Sequence, residues 1–389
     1  MAQNVTVNGA NYAGVPAVAL PLTAGGTAKF MDTSDATAGA GDILRDKTAY
    51  SGGAKLVGTA IAGNPLTITV TVDTGAAVSA TDGTNTVAGT STNGSCVLTV
   101  PNAGTWTVSA TLNGRSTSES ISVTTAYSLT MAIVSSTLNN NDWSIISSIS
   151  NDGIGSNYWS IGDCKSVALS GTVGKLTFSE TYYAFIIGFN HNSSYEGSNR
   201  IHFMFAKTAQ TGGIDVAFTD TSYGGTIGGF CMNTTRTNAG GWKSSYIRTS
   251  ICGTSLSSYT GTFIGVLPSA LRSVLKSTTK YTDNTGNSTM ASAVTSTTDY
   301  IFLLSEYEVL GSIIHANTNE AIKQAQYAYY SAGNSKIKYR HKITTSGCEW
   351  WFRSPKSSTS NGFVCAWSDG TAVWNYADYS VGFAPCFCV

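Results

Sequence analysis

The chain has 389 residues, and its 22 Lys or Arg are balanced by 22 Asp or Glu, for a formal net charge of zero. Charged residues make up 11%, under half of the roughly 25% usual in globular proteins, while 41 Gly and 102 Ser or Thr fill the difference. This excludes a disordered chain of low hydrophobicity and high charge, a nucleic-acid binder with a basic stripe, and a Glu/Lys-rich coiled coil; a neutral, mostly β protein of two or three domains remains, rich in Tyr (19) and Trp (8).

The first residues carry neither a basic segment nor a continuous apolar core, so no signal peptide is expected and the protein is made in a cytoplasm. Gly14 to Leu22 is short and broken by Pro16 and Pro21, and no window reaches the roughly 20 apolar residues of a membrane helix. No membrane partner is expected. Within residues 1–62, Thr33, Ser34 and Asp35 offer N-caps for a short helix over Ala36 to Arg45, with Ile43 and Leu44 at its apolar end. Thr48 to Tyr50 and Lys55 to Thr59 flank Ser51, Gly52, Gly53 and Ala54 as a hairpin.

Residues 63–126 alternate apolar residues with Thr from Leu66 to Val72, the period of a half-buried strand. Further strands are expected at Ala77 to Ser79, Thr86 to Gly89, Cys96 to Val100, Thr105 to Leu112 and Glu119 to Val123, separated by Gly, Asn or Asp turns. Short strands at this spacing predict a small immunoglobulin-like β-sandwich, with Trp106 in its core. The segment holds no His and no carboxylate pair, so it reads as a spacer or adhesion module.

Residues 127–389 are richer in Trp, Tyr, Phe and Cys and read as an α+β domain. One helix is expected after Pro268, with Leu271, Val274 and Leu275 on its apolar face. A second is expected from Asn319 to Tyr330, with Ile322, Ala325 and Tyr329 at helical spacing. The eight cysteines form no CxxC pair and are expected as buried thiols, Cys386 and Cys388 on one side of a strand. His191, His202, His315 and His341 lack metal-ligand spacing and read as lone polar groups.

The landmarks of this last segment are Trp143 to Ser147, Tyr158 to Asp163, Gly240 to Arg248, Phe302 to Glu306, Trp350 to Pro355 and Val381 to Pro385. Together they resemble a domain family of unknown function found in gut-bacterial surface proteins and phage fibre proteins. That family looks like a variant of the C-type lectin fold used by formylglycine-generating enzymes and by phage variable receptor-binding proteins. Asp35 to Ala38, Asp42 to Tyr50 and Gly58-Thr59 are similar to the N-terminal part of fibre proteins from phages of Gram-positive hosts. The resemblance implies a virion anchor in residues 1–62, a spacer, and a C-type-lectin-like head.

In the head, Trp350 and Trp351 read as core, and Arg353 as a group that satisfies buried carbonyls or a carboxylate. The stretch before the closing strand differs. Trp367, Ser368, Asp369, Trp374, Asn375, Tyr376, Asp378 and Tyr379 mix rigid aromatic rings with short polar groups. Rings stack on sugar faces or on protein surfaces, and Asn, Asp and Ser take hydroxyls. In the resembling variable proteins this pre-terminal stretch carries the binding residues.

An enzyme is not expected. Glu306, Glu308, Glu320 and Glu349 show no convincing pairing for glycoside hydrolysis, and no nucleophile elbow, zincin motif or phosphate loop is present. Trp374-Asn375-Tyr376 departs from the calcium-lectin signature at its third place, so neither a cofactor nor a metal is expected. The reading is a phage virion fibre, exposed on the virion surface as a dimer or trimer. Its head would bind a host cell-surface glycan or protein, and residues 1–62 would bind other virion proteins. A capsid decoration or head fibre of mainly structural role, or a bacterial surface adhesin, is the alternative.

Overall fold

Strands take 42% of the chain and helices 16%, so the protein is mostly β. The computed structural model describes residues 3–15, 17–31, 33, 36–44, 46–51, 54–58, 66–112, 114–209, 213–225 and 229–389. The chain divides into two compact units, Met1–Ile133 and Val134–Val389.

Before the sandwich come antiparallel hairpins: Gln3–Val7 with Ala10–Val15, Ala17–Pro21 with Thr27–Met31, and Thr48–Ser51 with Ala54–Val57. The last is the hairpin expected around Gly52 and Gly53, which themselves lie outside the described residues. The expected helix after Ala36 is absent. Only Ala40–Asp42 form a 3-10 turn, Ile43 is already extended, and Leu44 is 46% exposed. Gly39 and Gly41 make helix costly here. The caps Ser34 and Asp35, and Arg45, lie outside the described residues.

The sandwich follows the predicted alternation. One sheet orders Ser95–Val100, Leu66–Thr71 and Tyr127–Thr130; the other orders Arg115–Val123, Gly104–Leu112, Ala77–Thr81 and Thr86–Thr90. Ile68, Val70, Leu98, Trp106, Val108 and Ile121 alternate inward and are buried. The two sheets touch closely: a Cβ on Gly89 would lie 2.9 Å from Cys96 Sγ. Tyr127–Thr130 pairs parallel with Leu66–Thr71, so the last strand of the sandwich lies beyond residue 126.

In the second unit, five antiparallel strands form the largest sheet among the described residues. Their order is Cys164–Ala168, Thr181–Phe189, Ile201–Lys207, Cys386–Cys388 and Ile301–Phe302. The helix Trp143–Asn151 buries Trp143, Ile146, Ile149 and Ser150. Its Ser and β-branched residues are weak helix formers, so packing holds it: Trp143 meets Phe203 and Phe387 edge-on at 5.6 and 5.9 Å. Ser150 Oγ donates to the Val389 carbonyl, which ties the chain end to the start of the unit.

The two expected helices are reduced. After Pro268 only Ser269–Arg272 is helical. Asn319 to Tyr330 is a 3-10 turn, Thr318–Lys323, then an extended Gln324, then the short helix Ala328–Ser331. Gln324 Nε2 donates to the Tyr281 carbonyl at 2.6 Å, and Glu320 Oε1 accepts from Asp283 N at 2.9 Å. These side chains anchor the segment to the strand Thr278–Asp283 and displace a continuous helical ladder, leaving Ile322 65% exposed. All eight cysteines are free thiols, Cys386 and Cys388 buried on one strand as expected.

Candidate binding surface at the C-terminal hairpin

Strands Trp350–Pro355, Gly362–Ala366 and Ala372–Tyr376 form an antiparallel sheet, and the last two make the hairpin that carries the predicted site. Its tip is a self-contained turn. Asp369 Oδ1 accepts from Thr371 N at 2.9 Å and from Thr371 Oγ1 at 2.6 Å, and Gly370 takes φ +87°. These bonds hold the Asp369 carboxyl below its usual range. Trp367 stays 43% exposed, while Ser368 packs over Gly347. Asp369 thus serves the turn.

Along the last strand, alternation separates two sets of side chains. Trp374 and Tyr376 share one face, with rings edge-to-face at 5.6 Å, and Tyr376 meets Tyr379 at 5.3 Å. Trp374 lies across Gly362, where a Cβ would come within 2.6 Å of the indole, so only glycine lets the ring cross the hairpin. Cations cap this row. Lys356 Nζ is 3.7 Å from the Trp374 ring centroid, and the Arg236 guanidinium is 4.0 Å from that of Tyr376. Asp378 is buried and bonds Arg236 Nε at 3.2 Å, so it positions the arginine.

Asn375 faces the other way. Its Nδ2 donates to Glu349 Oε2 at 2.8 Å, and the Glu349 backbone N–H donates to Tyr223 OH at 3.1 Å. Tyr223, Gly224, Gly225, Glu349, Asn375 and Tyr379 surround a cleft of about 180 Å³. Burial raises the pKa of the half-buried Glu349 carboxyl against the Asn375 and Cys365 hydrogen bonds, and burial pushes the Tyr223 phenol up to about 12. The cleft falls below the roughly 300 Å³ at which drug-sized pockets begin. It suits one ring, or the end of a chain, with an acceptor, an amide and two phenols around it.

The predicted residues therefore separate into an exposed tip (Trp367, Ser368, Asp369), an aromatic row (Trp374, Tyr376, Tyr379) with its clamp Asp378, and a cleft that takes Asn375 and Tyr379. Tyr223, Arg236, Glu349 and Lys356 were not singled out as site residues from sequence. Tyr223 and Arg236 lie more than a hundred residues before Asn375, and only the Gly224-Gly225 doublet signals a turn there.

A second cluster corrects the reading of His191 and His202 as lone polar groups. His191, Glu196 and Glu308 offer ligand atoms within 4.8 Å of one another. The Lys280 ammonium stands among them, 2.5 Å from Glu196 Oε2, 3.1 Å from Glu308 Oε1 and 2.8 Å from Tyr327 OH. His191 stacks on Tyr327 at 3.6 Å, and His202 Nδ1 is 3.0 Å from Tyr327 OH. Arg353 grips Glu308 through both terminal nitrogens and donates to the Leu303 carbonyl at 2.9 Å, as expected of it. Burial drives the His191 pKa down to about 3, helped by Lys280, so the imidazole is neutral. Burial opposes ionisation of Glu308, but Arg353 and Lys280 outweigh it and keep the carboxylate charged. Within this cluster Lys280 pairs with Glu196 and Glu308, and Arg353 with Glu308, so Lys280 fills the position a cation would take.

Residues 189–389 match the family described as a domain of unknown function (DUF6273). The chain belongs to this family. The matched stretch, just over half the chain, contains the hairpin, the cleft and all members of the buried network, whereas the helix Trp143–Asn151 precedes it. No curated protein matches the sequence. No helix among the described residues is long and apolar enough to cross a membrane.

Proposed function

We propose that the C-terminal unit is a recognition head that binds a glycan on the C-terminal hairpin. The carrying observation is the Glu349–Asn375 pair, half-buried beside Tyr223 and Tyr379, with the Trp374 and Tyr376 rings on the neighbouring face. An acceptor and an amide donor at the wall of a small cleft take vicinal hydroxyls, and rings stack on the C–H face of a sugar. The same arrangement explains how a chain poor in charge can recognise a partner.

On this reading the whole chain is a bacteriophage virion fibre. Residues 1–62 attach it, the sandwich spaces it, and the head carries the C-type-lectin-like fold that its sequence landmarks resemble. Copies displayed as dimers or trimers would raise a weak single-site affinity.

The test is binding of the full chain to host-range cells and to a panel of immobilised neutral glycans, beside Trp374→Ala and Asn375→Ala. Saturable binding lost by both folded variants supports the reading. Binding equal in all forms removes the hairpin as the site. Absence of binding in every form favours a decoration protein with a structural head.

A further inference from the structure

The cleft beside the hairpin holds an acid that no cation balances. Glu349 stands half-buried on its wall. Its Oε2 accepts from Asn375 Nδ2 at 2.8 Å and from Cys365 Sγ at 3.8 Å, and both donors are neutral. Oε1 makes no hydrogen bond to the described residues, yet it is not one of their enclosed unpartnered atoms, so it keeps contact with solvent.

Buried acids elsewhere in this unit are satisfied in one of two ways. Some meet a cation, as Glu308 meets Arg353 and Asp299 meets Arg248. Others gather backbone N–H groups, as Glu306 does from Ile314, His315 and Ala316. Among the described residues, the Glu349 carboxylate has neither an ion pair nor a backbone donor. Burial raises its carboxyl against the Asn375 and Cys365 bonds, because neither brings a counter-charge.

The arginines near the cleft are committed elsewhere. Arg236 pairs with Asp378 at 3.2 Å, and Arg340 lies over the Tyr223 ring at 4.8 Å. Burial dominates the Tyr223 phenol, and Glu349 acts on it more strongly than Arg340 does. Gly224 and Gly225 add no side chain to the cleft, and a Cβ on Gly224 would meet nothing within 4 Å, so that side is open.

We infer that this cleft takes an ammonium group of the ligand, with Glu349 Oε1 as its counter-ion. The inference rests on the hairpin being the binding site and narrows what binds there: a sugar with a free amine, or a surface polymer with an aminoacyl or aminoalkyl substituent. An ammonium brings three donors and the missing charge, whereas a hydroxyl brings no charge. Aromatic rings also favour a cation over a neutral group, and Tyr223 and Tyr379 line the same cleft. Its volume of about 180 Å³ admits one ring or one chain end.

The experiment is an NMR titration of the full chain in neutral buffer, read at the Asn375 side-chain amide. The probes are methyl β-glucosaminide, its N-acetyl derivative and methyl β-glucoside, which share one ring and differ at one substituent. Ethanolamine serves as an ammonium without a ring. The expected result is saturable binding of the glucosaminide, about tenfold tighter than either uncharged sugar and weakened as ionic strength rises. Glu349→Gln keeps an acceptor for Asn375 and is expected to abolish the preference; the sugar series on the wild type decides even where that variant fails to fold. Ethanolamine binding as tightly as the glucosaminide supports the site and assigns it to a substituent, while glucosaminide binding alone assigns it to a ring amine. Equal affinity for the three sugars keeps the hairpin reading and overturns the ammonium site, as does a preference unchanged in folded Glu349→Gln. An Asn375 signal unmoved by both amines also overturns it, even where cells still bind through Trp374.

Discussion

Glu308→Gln tests whether the buried ionic network holds the second unit together. Glu308 has no solvent exposure and accepts from both terminal nitrogens of Arg353, from Lys280 at 3.1 Å and from Ser305 N at 3.0 Å. The amide keeps one acceptor oxygen and turns two donors toward cations. Lys280 would keep Glu196 at 2.5 Å, while Arg353 would be left with only the Coulombic pull of Glu320 and Glu196. Breaking a buried pair by removing one partner costs about 3–5 kcal/mol, a large share of the roughly 5–15 kcal/mol of a typical domain. At about 2–4 °C per kcal/mol for a unit of this size, the melting temperature should fall by about 6–20 °C. Scanning calorimetry on the full chain is the assay, because the two units can unfold in separate transitions. The later double variant Glu308→Gln/Arg353→Met removes the stranded guanidinium and should recover part of the loss. A shift under about 3 °C for Glu308→Gln would refute the reasoning, since so small an effect means the cations find water or another partner.

Three further outcomes are expected. Glu320 is fully buried, and burial, opposed by the Asp283 and Ser354 hydrogen bonds, raises its carboxyl to about 7 from 4.5. A raised carboxyl favours the protonated native state, so its contribution is complete below about pH 4.5 and is lost as pH rises through about 7; denaturant melts should show Glu320→Gln gaining on the wild type by up to roughly 3 kcal/mol across that window. Trp106 is fully buried in the sandwich, with Nε1 donating to the Asn102 carbonyl at 3.1 Å; Trp106→Ala should destabilise that unit by about 3–5 kcal/mol and leave the melting of the second unit in place. Asp369→Ala removes both bonds to Thr371 at the hairpin tip and should leave the melting temperature nearly unmoved, with amide exchange faster at residues 367–371 and glycan binding unchanged.

How far the chain was legible from its residues varies with the range of the contacts that shape it. Strands of the sandwich follow from period-two alternation and turn residues, both local signals, and Leu66–Thr71 and Gly104–Leu112 lie where the pattern puts them. Cys386 and Cys388, Trp350 and Trp351 are buried for the same reason: apolar residues spaced along strands. Helices were harder. Trp143–Asn151 is built from Ser and Ile, which signal no helix, and it exists because Trp143 and Ile146 are needed against the sheet. The reverse holds for Asn319 to Tyr330, whose helical spacing is overridden by Gln324 and Glu320 reaching across to the strand Thr278–Asp283.

The candidate site divides along the same line. The residue types at Trp374, Asn375, Tyr376 and Tyr379 marked the hairpin, because rings beside short polar groups are rare in a core. Which of them are left free is decided by the contacts each side chain makes, several of them with distant segments. Asp378 is taken by Arg236, Asp369 by its own turn, and Asn375 by Glu349. Composition and short-range periodicity determine which segments become strands, since alternation and turn chemistry act over a few residues. Where charges end up, paired in the core at Glu308 or half-buried against an amide at Glu349, is decided only by tertiary packing, because burial and partner distance come from segments the local sequence does not see.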